Sequence, residues 1–199
     1  MAARHGLTLD PARYGDAREA ARVDIKLHPE LEHDDEIWFE FTERIVRAMG
    51  GDGPAARDVA IEITRGWERH ENFDLYEDVA PVLDELRRAG LRLGLVSNSA
   101  RDVQAFARHH ALAIDAGISS FHHGRTKPHP SIFRAVLDLL EVEPGEAAMV
   151  GDTIADDVEG ARAIGMHAVL VDRLGLHPDF EPRIEDLYAL PAALGLTRL

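Results

Sequence analysis

Between Asp10 and about His70, apolar residues recur at helical spacing: Trp38, Phe41, Ile45 and Ala48 fall on one face, and Val59, Ile63 and Trp67 on another. Asp34, Asp35 and Glu36 stand where carboxylates favour a helix start, and Gly50-Gly51-Asp52-Gly53-Pro54 breaks one helix from the next. No buried strand is expected in this half. After the polar connector Glu71 to Glu77 the rhythm changes to helix and strand in alternation. Val79, Val82, Leu83 and Leu86 make a helical stripe ending near Gly90, and Leu91 to Val96 reads as a strand. A helix from about Ala100 follows, then a short apolar segment at Ile114 to Ile118 and a helix carrying Ile132, Phe133, Val136, Leu137 and Leu140. Strands at Ala147 to Val150 and Ala168 to Val171 complete the set.

Short apolar runs separated by helices predict an α/β fold with a parallel sheet covered on both faces, and such sheets bind ligands beyond the carboxyl ends of their strands. The change of rhythm divides the chain into a helical part, 1–74, and an α/β part, 75–199. The formal charge of -14 opposes nucleic acid and anionic membrane surfaces as partners. No apolar run reaches the roughly 20 residues a membrane helix needs, and the first twenty residues carry no apolar block like a secretory signal, so the expected location is cytoplasmic. With no cysteine, any metal here uses oxygen or imidazole ligands.

Three expected strand exits carry polar groups. Ser97 and Asn98 offer a hydroxyl, an amide and free backbone N–H groups to a phosphate, or serve simply as a helix cap. Lys127 lies in Gly124-Arg125-Thr126-Lys127-Pro128-His129-Pro130, where prolines stiffen the backbone; the competing reading is a solvated loop lysine. Asp152 and Asp157 open a helix whose apolar face is Val158, Ala161 and Ile164, and they suit either the helix dipole or Mg2+, which takes one or two protein carboxylates plus water and phosphate. Adjacent Asp156 and Asp157 face different ways if already helical. His109-His110 and His122-His123 read as surface residues rather than a metal site, and Trp38, Phe41 and Trp67 as core packing.

Leu93 to Asn98, Lys127 to Phe133, Val150-Gly151-Asp152 to Asp157, and Gly160 to Met166 resemble, in order and spacing, motifs two, three and four of the haloacid dehalogenase-like (HAD) hydrolases. The resemblance covers roughly Ala2 to Arg173 and implies a Rossmann-like HAD core with an α-helical cap. It implies that Ser97 and Asn98 bind the transferred phosphoryl group and that Lys127 holds that group and the nucleophile. Asp152 is implied to ligate Mg2+, and Asp157 to support the metal site through water or Lys127. A metal carboxylate at Asp152 resembles the phosphatase branch, acting on a small phosphorylated molecule. Receiver domains share the residue types, but there the acids come first in the chain.

The family's first motif, a strand ending in DxDxT that carries the nucleophile, has no counterpart in this sequence. Met1 to Asp10 resembles the portion just after it. The expected consequence is a parallel sheet without its central strand, leaving two inner edges where each unpaired buried group costs about 1–3 kcal/mol. Val23 to Leu27 alternates, but burying Asp24 and Lys26 in a central strand is unfavourable, and a helix is expected there. The chain as given is therefore expected to have negligible turnover. The alternatives are a catalytically inactive remnant serving as a phosphate-binding or protein-interaction module, with the open edges a route to a homo-oligomer, and a chain that starts at an internal methionine of a longer enzyme.

Overall fold

The structure, a computed structural model, describes residues 2–22 and 34–196. The segment Val23 to Leu27, for which a helix is expected, lies outside the described residues.

Among the described residues the first part is helical, with α1 at Tyr14–Ala21, α2 at Asp35–Ala48 and α3 at Ala56–Gly66. Asp34 caps α2, its carboxylate accepting a hydrogen bond from Glu36 N at 3.0 Å. The glycine-rich break ends α2, with Gly50 and Gly53 at φ +97 and +118°. Small Ala17 and Ala21 let α1 approach α2, where they bury against Ile45; Val46, Ala56 and Val59 close the α2–α3 contact. Two buried polar side chains of this part, Thr42 and Thr64, satisfy each other: their hydroxyls lie 2.8 Å apart and Thr42 is also within hydrogen-bond reach of the Trp38 carbonyl.

The second part alternates as its apolar runs predict: α4 at Val79–Arg88, β1 at Gly94–Ser97, α5 at Val103–His109, β2 at Ala116–Ser119, a single turn α6 at Ser120–His123, and α7 at Pro130–Leu140. It continues with β3 at Ala148–Gly151, α8 at Gly160–Arg162, β4 at His167–Val171, β5 at Arg183–Ile184 and α9 at Leu190–Ala193. β1 starts three residues later than its apolar run, because Leu91 still belongs to the end of α4. Gly90 turns left-handed at φ +85° and Leu91 N donates back to the Leu86 carbonyl at 3.1 Å. β5 was not expected; two residues carry no periodicity.

All strand pairs are parallel, but they form two sheets. β1 pairs with β2, Gly94 opposite Ala116 and Ser97 opposite Ser119. β3, β4 and β5 form the other, Ala148 opposite His167 and Val171 opposite Ile184. No described strand lies between β1 and β3. The burial follows this division: Ala168, Val169 and Leu170 of β4 are buried, whereas Leu95, Val96, Met149 and Val150 on the facing edges are only partly covered.

Helix α7 bridges the halves. Ile132, Phe133 and Leu137 pack with Val158, Ala161, Met166, Ala168 and Leu170, and Val96, Ile118 and Met149 from both sheets lean on this cluster. Ile132 and Phe133 are fully buried, each stabilising by about 1.5–3 kcal/mol. On the opposite face α4 supplies Val82 and Leu86 against Val169 and Ile184. The result is an α/β, Rossmann-like layered core with a helical cap.

Asp78, buried at the start of α4, fastens the far loops to this core. Its carboxylate accepts from both terminal nitrogens of Arg173, at 2.8 and 2.9 Å, and from Leu187 N at 2.7 Å. Burial alone would raise its pKa, but the bonds from Arg173 and Leu187 prevail and hold it below the ordinary carboxylate value.

Candidate phosphoryl site at the strand tips

Lys127 is 9% exposed, so its ammonium needs partners. Nζ donates to the Asp157 carboxylate at 2.6 Å and to the Val96 carbonyl at 3.2 Å. The first contact reaches across the division between the sheets, from the segment after β2 to the turn after β3, while the second returns to β1 of its own sheet. Asn98 fixes the backbone of the same lysine: its Nδ2 donates to the Lys127 carbonyl at 3.0 Å and its Oδ1 accepts from Lys127 N at 2.7 Å. This two-way pairing fixes which end of the amide is which. The expected phosphate-binding amide is thus occupied in positioning Lys127.

Asp157 is equally constrained. It is 3% exposed and accepts from Thr153 N at 3.0 Å as well as from Lys127. Gly151, at the tip of β3, makes room for it, since a Cβ there would stand 2.3 Å from an Asp157 carboxylate oxygen. The stretch Ile154–Glu159 forms a π-helical turn rather than the start of an α-helix, with both Asp157 N and Val158 N donating to the Thr153 carbonyl. This wider turn lets neighbouring acids line one cavity while keeping different partners, Asp156 pairing with Arg22 and Asp157 with Lys127.

Asp152 is different: its side chain is 67% exposed and its contacts are loose, Thr153 Oγ1 at 3.3 Å and Arg18 at 3.7 Å. Of the acids implied for the metal, it is the one with lone pairs to offer. No cluster of three or more His, Asp or Glu among the described residues is arranged to hold an ion. That donor set suits Mg2+, which accepts a single carboxylate completed by water and phosphate, better than a metal needing a full protein cage.

A cavity of about 230 Å³ joins these groups, lined by Asn98, Lys127, Asp152, Thr153, Asp156 and Asp157 from the core and by Arg18, Arg22, Trp38 and Phe41 from the cap. Ser97, the neighbour of Asn98 in the chain, is not among the lining residues; its hydroxyl lies 3.0 Å from that of Ser99. Trp38 and Phe41 are half-buried and meet edge to face at 5.8 Å; Phe41 packs on the Ala17, Ala21 and Ile45 cluster, as expected of a cap-core residue, and both rings also line the cavity. Sequence reading also missed Arg18 and Arg22. Their spacing of four places both on one face of α1, but only the docking of α1 onto the strand tips gives that face a purpose.

The cap is tied to the Ser97–Ser99 loop by Arg101. Its guanidinium donates twice to the Trp67 carbonyl, at 2.6 and 3.0 Å, and lies 3.8 Å from the Phe73 ring centre and 4.8 Å from that of Phe106. The paired histidines take local roles: His122 Nδ1 meets Ser119 Oγ at 2.8 Å, His123 Nε2 meets Ser131 Oγ at 2.7 Å, and His110 packs on Phe106. Burial, with the nearby charges of His129 and Arg125, lowers the His123 pKa.

The sequence profile of haloacid dehalogenase-like hydrolases matches residues 3–165 of this chain. The chain belongs to the haloacid dehalogenase-like hydrolase family. Among relatives of this HAD hydrolase, the phosphoserine phosphatase of Thermus thermophilus is 37% identical over 155 residues, covering 74% of this chain and 60% of that protein. Human N-acylneuraminate-9-phosphatase is 34% identical, covering 79% of this chain and 67% of the relative. The chain thus spans only about three-fifths to two-thirds of these proteins' length. The magnesium-bound HAD-hydrolase YfnB of Bacillus subtilis has the same fold, with a TM-score of 0.77 at 16% identity over 96% of this chain and 86% of that one.

Proposed function

We propose that this HAD hydrolase is a magnesium-dependent phosphatase of a small phosphorylated metabolite, acting in the cytoplasm, with the nucleophile-bearing motif absent from this chain. In this reading residues 1–74 are the cap and 75–199 the core. The observation that carries the proposal is Lys127, a buried ammonium held by Asp157, Asn98 and the Val96 carbonyl, in one cavity with the exposed Asp152. A fixed cation beside an unsatisfied carboxylate is what holding a phosphoryl group and a divalent metal together requires. Asp152 would hold Mg2+, which when bound supplies charge neutralisation at the phosphoryl oxygens. Lys127 adds a fixed positive charge, Asp157 and Asn98 position it, and Ser97 borders the phosphate position. The phosphatase names of the relatives favour this reading over a noncatalytic module.

Calorimetric titration of the 199-residue chain with inorganic phosphate, with and without Mg2+, tests the reading. The expected result is magnesium-enhanced phosphate binding, with the enhancement lost in Asp152→Asn, and negligible turnover of phosphomonoesters. Absence of phosphate binding at millimolar concentration would overturn the site. Robust magnesium-dependent turnover abolished by Asp152→Asn would overturn the absence of the nucleophile-bearing motif from this chain.

A further inference from the structure

The charges lining the cavity are balanced but not equally committed. Arg18, Arg22 and Lys127 face Asp152, Asp156 and Asp157. Lys127 is locked to Asp157 with side chains 11% and 4% exposed. Arg22 is locked to Asp156, 12% and 16% exposed, and also donates to Thr153 Oγ1 at 3.2 Å. The third couple is loose: Arg18 and Asp152 are 41% and 67% exposed and approach only to 3.7 Å. An exposed pair at that distance is worth little. Its two members are therefore the groups able to take new partners.

We propose that Arg18 is a specificity residue that recognises a carboxylate on the non-phosphate end of the substrate, making the substrate class carboxylated phosphomonoesters. This rests on the phosphatase reading above. If Asp152 takes a divalent cation, Arg18 loses the one carboxylate it pairs with among the described residues, and its guanidinium becomes available to a ligand. A single guanidinium matches a carboxylate's charge and forked geometry. The aromatic pair Trp38 and Phe41 borders the same space and limits its occupant to a compact carbon skeleton, as the cavity volume of about 230 Å³ also does. Arg22, held by both Thr153 and Asp156, keeps α1 seated on the strand tips while Arg18, one turn earlier, is free to turn.

The test compares two ligands that differ only at the far end, 3-phosphoglycerate and glycerol 3-phosphate, by calorimetry with Mg2+ present, alongside inorganic phosphate. The chain is expected to prefer 3-phosphoglycerate about tenfold, the scale of one charge-assisted recognition. In Arg18→Ala the ratio of the two affinities should fall to near one, and Arg18→Lys should restore part of it. The ratio is insensitive to a general loss of phosphate affinity. Equal affinities in the unsubstituted chain, or a preference that survives in Arg18→Ala, would overturn this proposal while leaving the phosphatase reading standing. Failure of all three ligands to bind would overturn the phosphatase reading and this inference with it.

Discussion

Replacing Asp157 by Asn tests the most constrained pairing in the site. The substitution keeps the side chain's volume and leaves an oxygen able to accept from Thr153 N, which lies 3.0 Å from the carboxylate. It removes the negative charge 2.6 Å from Lys127 Nζ, leaving that ammonium with the Val96 carbonyl at 3.2 Å. The two side chains are 4% and 11% exposed, so water replaces the lost partner only poorly, from the cavity side. Breaking a buried pair from one side costs about 3–5 kcal/mol, and the slight opening at Lys127 favours the lower end, about 3 kcal/mol. For a domain of this size that corresponds to a fall in Tm of roughly 6–12 °C. Removing both charges, as in Lys127→Met with Asp157→Asn, should return stability to within about 1 kcal/mol of the parent. Urea unfolding of the parent, both single variants and the double variant closes the cycle, with unchanged m-values as the control. A cost for Asp157→Asn below about 1 kcal/mol, or effects that add within about 0.5 kcal/mol, would refute the assignment of Lys127 as an ammonium dependent on Asp157.

Gly151→Ala forces a Cβ to within 2.3 Å of the same carboxylate and should destabilise by about 1–3 kcal/mol through displacement of Asp157; a Tm within 1–2 °C of the parent, about the scale of a sub-kcal change, would show that the turn adapts freely. Arg101→Lys loses the fork onto the Trp67 carbonyl and the face of Phe73, so limited proteolysis should cut faster in the connector Glu71 to Glu77, with a stability loss of about 1–2 kcal/mol; unchanged cleavage would remove Arg101 as the tie between cap and core. Asp78, whose folded-state pKa is lowered, contributes stability that is fully present above its unfolded value near 4 and is lost as pH falls through the folded value. Urea midpoints measured from pH 6 down to about 3 should therefore fall less steeply in Asp78→Asn than in the parent, and parallel profiles would contradict this.

The layered architecture was legible because strands buried on both faces are short apolar runs, and their order along the chain is local information. Lys127, Asp152 and Asp157 were singled out by motif resemblance, and the structure places them in one cavity together with Asn98. What the sequence hid depends on contacts between distant segments. Arg18 and Arg22 are ordinary helix-surface arginines until α1 docks. Trp38 and Phe41 have core spacing, and Phe41 does reach the cap core, yet the start of the same face of α2 also lines the cavity at the strand tips. Asn98 looked like a phosphate donor because its bond to the Lys127 backbone spans 29 positions. The π-helical turn at Ile154–Glu159 likewise goes with a distant contact, the tie of Asp157 to Lys127 across 30 positions.

The division of the sheet places the two sides of the site on separate mechanical supports. Ser97 and Asn98 ride on the pair β1–β2, Asp152 on the trio β3–β4–β5, and among the described residues no hydrogen-bond ladder sets the distance between them. Lys127, rooted beyond β2 and reaching both Asp157 and the Val96 carbonyl, is the polar bridge that spans the seam. A strand seated in that seam would fix the width of the site in the same step that completes the ladder, so that assembly and active-site geometry become a single variable. In the seam as it stands, that width rests on side-chain contacts: the Lys127 bridge and the packing of Val96, Ile118 and Met149 on the cluster around helix α7.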